Sequence, residues 1–134
     1  MVNYLAILVA GIASMVLGFL WYGPFFGKPW MRLSGLSKKD VNKAKQKSMT
    51  GSIILGFISS LVMIWVLALF FEMLSVTNYM TAITTSLWVW LGFMGTLTLS
   101  SFIWENKSFS LWILNNGYNV INLLIAALIL VAWP

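Results

Sequence analysis

Apolar residues run almost unbroken through four stretches of the chain: Asn3 to Tyr22, Gly51 to Phe71, Met80 to Trp104 and Leu111 to Trp133. Each is close to the ~20 residues with which an α-helix crosses the hydrocarbon core of a bilayer. Polar and charged residues collect between the stretches, above all between residues 28 and 47. The pattern predicts an all-α, membrane-embedded bundle of four transmembrane helices, a single integral domain over residues 1–134, with a short cationic segment between the first and second helices. The first stretch is expected to be retained rather than cleaved as a signal peptide, since no positive region precedes it and no A-x-A-like site stands before the aromatic cluster that follows.

Composition agrees: 60% of the residues are hydrophobic and 8% charged, against roughly 25% charged in soluble chains. Cysteine and histidine are both missing from the sequence, which removes disulfides, thiol nucleophiles, imidazole bases and the usual ligands of zinc, haem and iron–sulfur clusters. The charges behind the net +5 sit almost entirely between residues 28 and 47 instead of spreading along a soluble basic face, so no nucleic-acid partner is expected. Of the acids, Asp40 has a capping position, and Glu72 and Glu105 fall at opposite ends of the predicted spans. They form neither a carboxylate pair nor a metal site. No catalytic residue, cofactor or metal is therefore expected, and an enzyme is the least favoured class.

The stretch WYGPFFGKPW, residues 21–30, ends the first span. Trp21 and Tyr22 suit the headgroup depth that amphipathic rings favour, and Gly23-Pro24 opposes helical continuation. Trp30, Lys28 and Arg32 complete a set of interfacial anchors, with Phe25, Phe26 and Met31 held near the acyl boundary in a short interfacial helix. Further on, Ser37 and Asp40 match a capping box, and Lys39, Lys43 and Lys47 recur every fourth residue. They would give one cationic helical face that contacts anionic lipids on the cytoplasmic side. Asn106-Lys107-Ser108 fits a glycosylation pattern by chance, because that loop is predicted cytoplasmic. The similar spacing of Trp21 to Trp30 and of Trp104 to Trp112 is compatible with two copies of a helical hairpin.

The order Trp21-Tyr22-x-Pro24-x-Phe26-Gly27-Lys28-x-Trp30-Met31, a Leu-Ser-polar linker, and Asn115-Asn116-Gly117-Tyr118 in the last span together resemble the family called domain of unknown function 1761. The resemblance implies a small protein of four spans and brings no activity with it. Family members often carry His after the Gly-Tyr pair, whereas this chain has Asn119 there, so no proton or metal role is carried over to that position.

Polar residues inside the spans are the candidate site. At 100° per residue, Asn115, Tyr118, Asn119 and Asn122 share one sector of the fourth span, which cannot face hydrocarbon with its amides unpaired. A complementary sector of the third span holds Thr81, Thr84, Thr85, Trp88, Gly92, Gly95 and Thr96. Thr85 and Thr96 are the expected partners of the asparagines. The first span offers Ala10, Ser14 and Gly18, and the second Ser52, Gly56 and Ser60, at the small-xxx-small spacing of close helix packing.

Two functions fit. In the first, the polar groups are interhelical glue, and the protein is a non-catalytic structural or accessory subunit of a membrane assembly, as a homo-oligomer or with other membrane subunits. In the second, they line a site or narrow path for a small solute or ion. Proton-coupled export is disfavoured because the first span has no Glu of the kind on which small multidrug exporters depend.

Orientation follows from the loops. Every Lys and Arg lies in the first or third loop, on one side of a four-span protein, and the positive-inside rule makes that side cytoplasmic. The expected location is the cell membrane, with both termini outside. A reporter fused at Pro134 should read as non-cytoplasmic; a cytoplasmic readout would overturn the span count or the orientation.

Overall fold

The structure, a computed structural model, describes residues 2–34, 38–105 and 108–133, with side chains described outside 34–50. The described residues form helices and connecting turns in the order α1 (Tyr4–Leu20), a π-helical turn (Trp21–Phe25), α2 (Gly27–Ser34), α3 (Lys38–Met73), α4 (Tyr79–Val89), a second π-helical turn (Trp90–Gly95), α5 (Thr96–Trp104) and α6 (Phe109–Ala132). Four helical segments are long and apolar enough to cross a membrane: Tyr4–Phe25, Gly51–Met73, Tyr79–Trp104 and Phe109–Ala132. The fold is the all-α membrane bundle that the hydropathy pattern predicts.

Local chemistry sets the helix ends. The Asn3 side chain accepts from the amides of Leu5 and Ala6 to cap α1, and Asn78 and Ser108 do the same for α4 and α6. The tight turn between α3 and α4 takes Ser75 through a left-handed conformation, φ 54°. The cationic segment is continuous with the second span: α3 has 36 residues, about 54 Å at 1.5 Å per residue, where the hydrocarbon core is ~30 Å. It therefore extends well beyond the membrane. The positions expected to form a capping pair, Ser37 and Asp40, those expected to contact anionic lipid, Lys39, Lys43 and Lys47, and the Asn106-Lys107 motif lie outside the residues or side chains described.

Packing is asymmetric. α1 and α6 form the centre, α3 lies mainly on α1, α4 lies on α6, and α3 touches α6 only lightly. Ala6, Ala10 and Ser14 are fully enclosed along one stripe of α1, so the small seam of the first span is used within the chain. On the second span it is not. Ser52 and Gly56 are exposed, and a side chain built at Gly56 would meet open space. What α3 buries instead is Ile64, Leu67, Ala68 and Phe71, which join Leu123, Ala126, Ala127 and Leu130 of α6 in the core. The small-xxx-small spacing of the second span, expected to serve close helix packing, is thus not used within the chain at Ser52 and Gly56.

The sector of the third span expected to complement the asparagines is corrected: it turns mostly outward. Thr81, Thr84, Gly92 and Thr96 are exposed, Trp88 is 68% exposed, and Thr85 is half-buried; of the predicted sector only Gly95 is enclosed. The buried face of α4 is Ala82, Ser86 and the half-buried Trp90. α4 turns Ala82 and Ser86 inward, so Thr81, Thr84 and Trp88 on its other side face out; beyond them the second π turn, whose hydrogen bonds span five residues instead of four, re-phases the wheel for the rest of the span. Gly95 comes to lie under the Trp90 ring, where an added Cβ would stand 3.1 Å from it.

Gly117 is equally confined, since a Cβ there would approach the Trp21 ring to 3.0 Å. Gly117→Leu should destabilise the fold by about 1–3 kcal/mol, the usual cost of overpacking. Gly56→Leu should leave the stability of the monomer within about 0.5 kcal/mol of the parent, as for other surface substitutions. Thermal unfolding of both variants in detergent checks the pair.

Candidate functional site

The N-terminal half of α6 presents amides to both of its neighbours. Toward α1, Asn115 Oδ1 accepts from the Tyr22 hydroxyl at 2.8 Å, and Asn122 Oδ1 accepts from Ser14 Oγ at 2.5 Å. Tyr118 donates its hydroxyl to the Ser14 carbonyl at 3.3 Å, fitting into the space left by Gly18. Trp21 Nε1 donates to the Leu114 carbonyl at 3.1 Å, which gives a main-chain oxygen of α6 a second partner.

The aromatic stretch is consequently a junction within the protein. Trp21 and Tyr22 are half-buried; Trp21 packs on Phe26 with ring centroids 4.5 Å apart, and Tyr22 sits between Trp30 at 5.8 Å and Tyr118 at 5.5 Å. Their polar tips bond to α6, so these two residues tie the end of the first span to the last one. Lys28 and Arg32 are exposed on α2. Pro24 has no amide hydrogen and Gly23 leaves helical geometry at φ −106° and ψ −105°. The turn closes by a five-residue bond from Phe26 N to Trp21 O at 2.8 Å. Gly27 must be small, because a Cβ would stand 2.8 Å from the Tyr22 carbonyl oxygen.

Toward α4 and α5 the central residue is Asn116, 3% exposed. Its Oδ1 accepts from Trp90 Nε1 at 2.9 Å, and its Nδ2 donates to Thr98 Oγ1 at 3.1 Å and to the Trp112 carbonyl at 3.0 Å. Trp112 Nε1 also donates to Thr98 Oγ1, at 3.1 Å, while Thr98 donates to the Met94 carbonyl at 2.6 Å. Both π turns thus open with a Trp whose indole N–H reaches α6. Sequence reasoning missed Asn116, Thr98 and Trp90; a search for Trp-x-Gly, present as Trp21-Tyr22-Gly23 and Trp90-Leu91-Gly92, would have found the correspondence between the spans. The hairpin spacing of Trp21–Trp30 and Trp104–Trp112 does not capture it.

The predicted partners of the asparagines stand elsewhere. Thr96 Oγ1 donates to the Gly92 carbonyl of its own helix at 2.8 Å, and Thr85 makes no side-chain hydrogen bond among the described residues. Asn115, Tyr118 and Asn122 turn to the first span instead of the third. Asn119 is half-buried, and no side-chain hydrogen bond joins it to another described residue. Ser86 Oγ is enclosed without a partner among the described residues. No group of three or more acidic, His or Cys side chains that could hold a metal occurs among them either.

Four apolar spans in an all-α bundle define a multi-pass membrane protein. Residues 5–131 match the family described as Protein of unknown function (DUF1761), and the chain belongs to that family. Comparison with curated proteins and with solved structures returned no match.

Asn116→Leu removes three hydrogen bonds and leaves the Trp90 indole N–H without its acceptor. At ~0.6 kcal/mol for each average intramembrane bond, plus roughly 1 kcal/mol or more for the stranded donor, the loss should be about 3 kcal/mol. Asn119→Leu breaks no bond to a described residue and should change monomer stability by less than about 0.5 kcal/mol. Unfolding of the two variants in mild detergent, measured side by side, checks the contrast; equal losses would contradict the assigned network.

Proposed function

We propose that this protein is a non-catalytic structural or accessory subunit of a membrane assembly. The observation that carries the reading is the direct pairing of side chains at Asn115, Asn116 and Asn122. Amides occupied in this way hold helices together and are not offered to a passing solute. Two outward faces support assembly with further copies or other subunits. On α3, Ser52 and Gly56 are exposed, and on the third span Thr81, Thr84, Gly92 and Thr96 are exposed; added side chains at Gly56 and Gly92 would meet open space. Small residues permit close backbone approach between helices. The setting is the cell membrane, with the basic loops cytoplasmic, Lys39, Lys43 and Lys47 on anionic headgroups, and both termini outside.

Passage of a small solute or ion is the second reading, and Asn119 is the observation in its favour. An amide without a described partner at the middle of a span is available to water, a solute or another subunit.

Native mass spectrometry of the parent, Gly56→Leu and Gly92→Leu tests assembly. A homo-oligomer or a co-purifying membrane subunit is expected for the parent, with at least one variant reverting to monomer while keeping parental thermal stability. Monomeric parent protein with no partner would overturn the assembly reading. In liposomes, a flux that the parent supports and Asn119→Leu abolishes would favour passage instead.

A further inference from the structure

Beside the Asn116 network, a crevice of about 190 Å³ opens between α5 and α6 at the end of these spans. Thr98, Ser101, Phe102 and Glu105 line it from one helix, and Leu111, Trp112, Asn115 and Asn116 from the other. Most of its polar groups are already occupied. Thr98 Oγ1 gives one hydrogen bond and receives two, and both N–H donors of Asn116 are used. What is left is specific. Asn115 accepts from Tyr22 through Oδ1, which leaves both donors of its Nδ2 without a described partner, and the Ser101 hydroxyl likewise bonds to no described residue. Glu105, one of three acids in a chain of net charge +5, stands exposed at the rim. Phe102 and Trp112 supply aromatic walls.

Amide donors, a carboxylate, a hydroxyl and aromatic rings lining one crevice fit a zwitterion. Its cationic end must carry N–H groups for Glu105 and Ser101, and its anionic end must accept from Asn115. A hard metal cation is a poor fit, because Ca²⁺ seeks about 6–8 oxygen ligands and Mg²⁺ a near-ideal octahedron, whereas the carboxylate here has a lone hydroxyl beside it. An ammonium suits both the acid and the ring faces. The volume is below the roughly 300–1,000 Å³ of sites for drug-sized ligands, so the ligand or the part of it that enters is small. The crevice also sits at the end of the spans, where lipid headgroups lie.

We propose that this crevice binds a phosphoethanolamine group, with its primary ammonium at Glu105 and Ser101 and its phosphate on the Asn115 amide. The group reaches the crevice either as the headgroup of a phospholipid or as a free small molecule. The site is independent of the subunit role, since none of its unoccupied groups joins two helices.

The test uses the full chain purified in mild detergent. Native mass spectrometry is run with equal amounts of phosphatidylethanolamine, phosphatidylcholine and phosphatidylglycerol, and tryptophan fluorescence is followed on titration with O-phosphoethanolamine. Phosphatidylethanolamine should be retained over the other two by about fivefold or more, the discrimination expected of a charge-assisted hydrogen bond. Glu105→Gln, which keeps the shape and removes the charge, should abolish the preference, and Ser101→Ala should weaken it. Both substitutions leave the Asn116 network untouched, so an altered oligomer or a lowered melting temperature is not expected. A response to O-phosphoethanolamine that displaces the lipid would identify the free molecule as a ligand, and lipid retention without that response would identify the headgroup. Equal retention of all three lipids with no response to O-phosphoethanolamine would overturn the proposal. So would a preference that survives Glu105→Gln.

Discussion

Inside a bilayer a polar side chain has no water to turn to, and an amide without a partner costs several kcal/mol. The arrangement of this protein depends on that constraint acting at α6. Asn115, Asn116 and Asn122 each reach a side chain on another helix. Tyr22, Ser14 and Trp90 are where they are because these amides need them. Each bond contributes modestly in a membrane, ~0.6 kcal/mol on average, so their larger effect is on choice among packings. A rotation of α6 would strand several amides together, and the apolar contacts alone would tolerate it.

Close packing supplies the other half. Lipid is as apolar as Leu, so helices associate in a membrane through van der Waals fit more than through the hydrophobic effect. Ala6, Ala10 and Ser14 let α1 approach α6 near Asn122, Ala126 and Ala127. Gly18 admits Tyr118 and Gly117 admits Trp21. α3 is tied less firmly, through a core of Ile64, Leu67, Ala68 and Phe71 and the approach of Phe57 and Leu61 to Gly11. The polar bonds therefore hold a central pair with the third span beside it, and the second span is held by apolar contact.

The two π turns reconcile these requirements. A helix with a uniform period could not bury Ala82 and Ser86 in its first half and also bring Gly95 and Thr98 against Trp112 and Asn116 in its second. Widening one turn at Trp90–Gly95 re-phases the face. At the end of the first span, the Trp21–Phe25 turn brings the Trp21 and Tyr22 rings onto α6.

Much of this was legible in the sequence. Four apolar runs of membrane-crossing length determine the class, because no other structure satisfies the backbone in lipid except a closed barrel. The inward face of Asn115, Tyr118 and Asn122 was legible for the same reason, as was the small seam of the first span. Partnership was not. A helical wheel gives the relative directions of side chains but not which side of the third span meets α6: Ala82 and Ser86 do, which keeps Thr85 off the asparagines, and past the π turn, where the constant angle per residue fails, Thr96 bonds to its own helix. Asn116 lay outside the polar sector on the wheel, and it became a central residue only when α4 and α5 were folded against its side of α6. Sequence determines that these amides must be satisfied; the three-dimensional path of the neighbouring helices decides by whom, because hydrogen bonds reach only about 3 Å and a single re-phased turn moves a side chain farther than that.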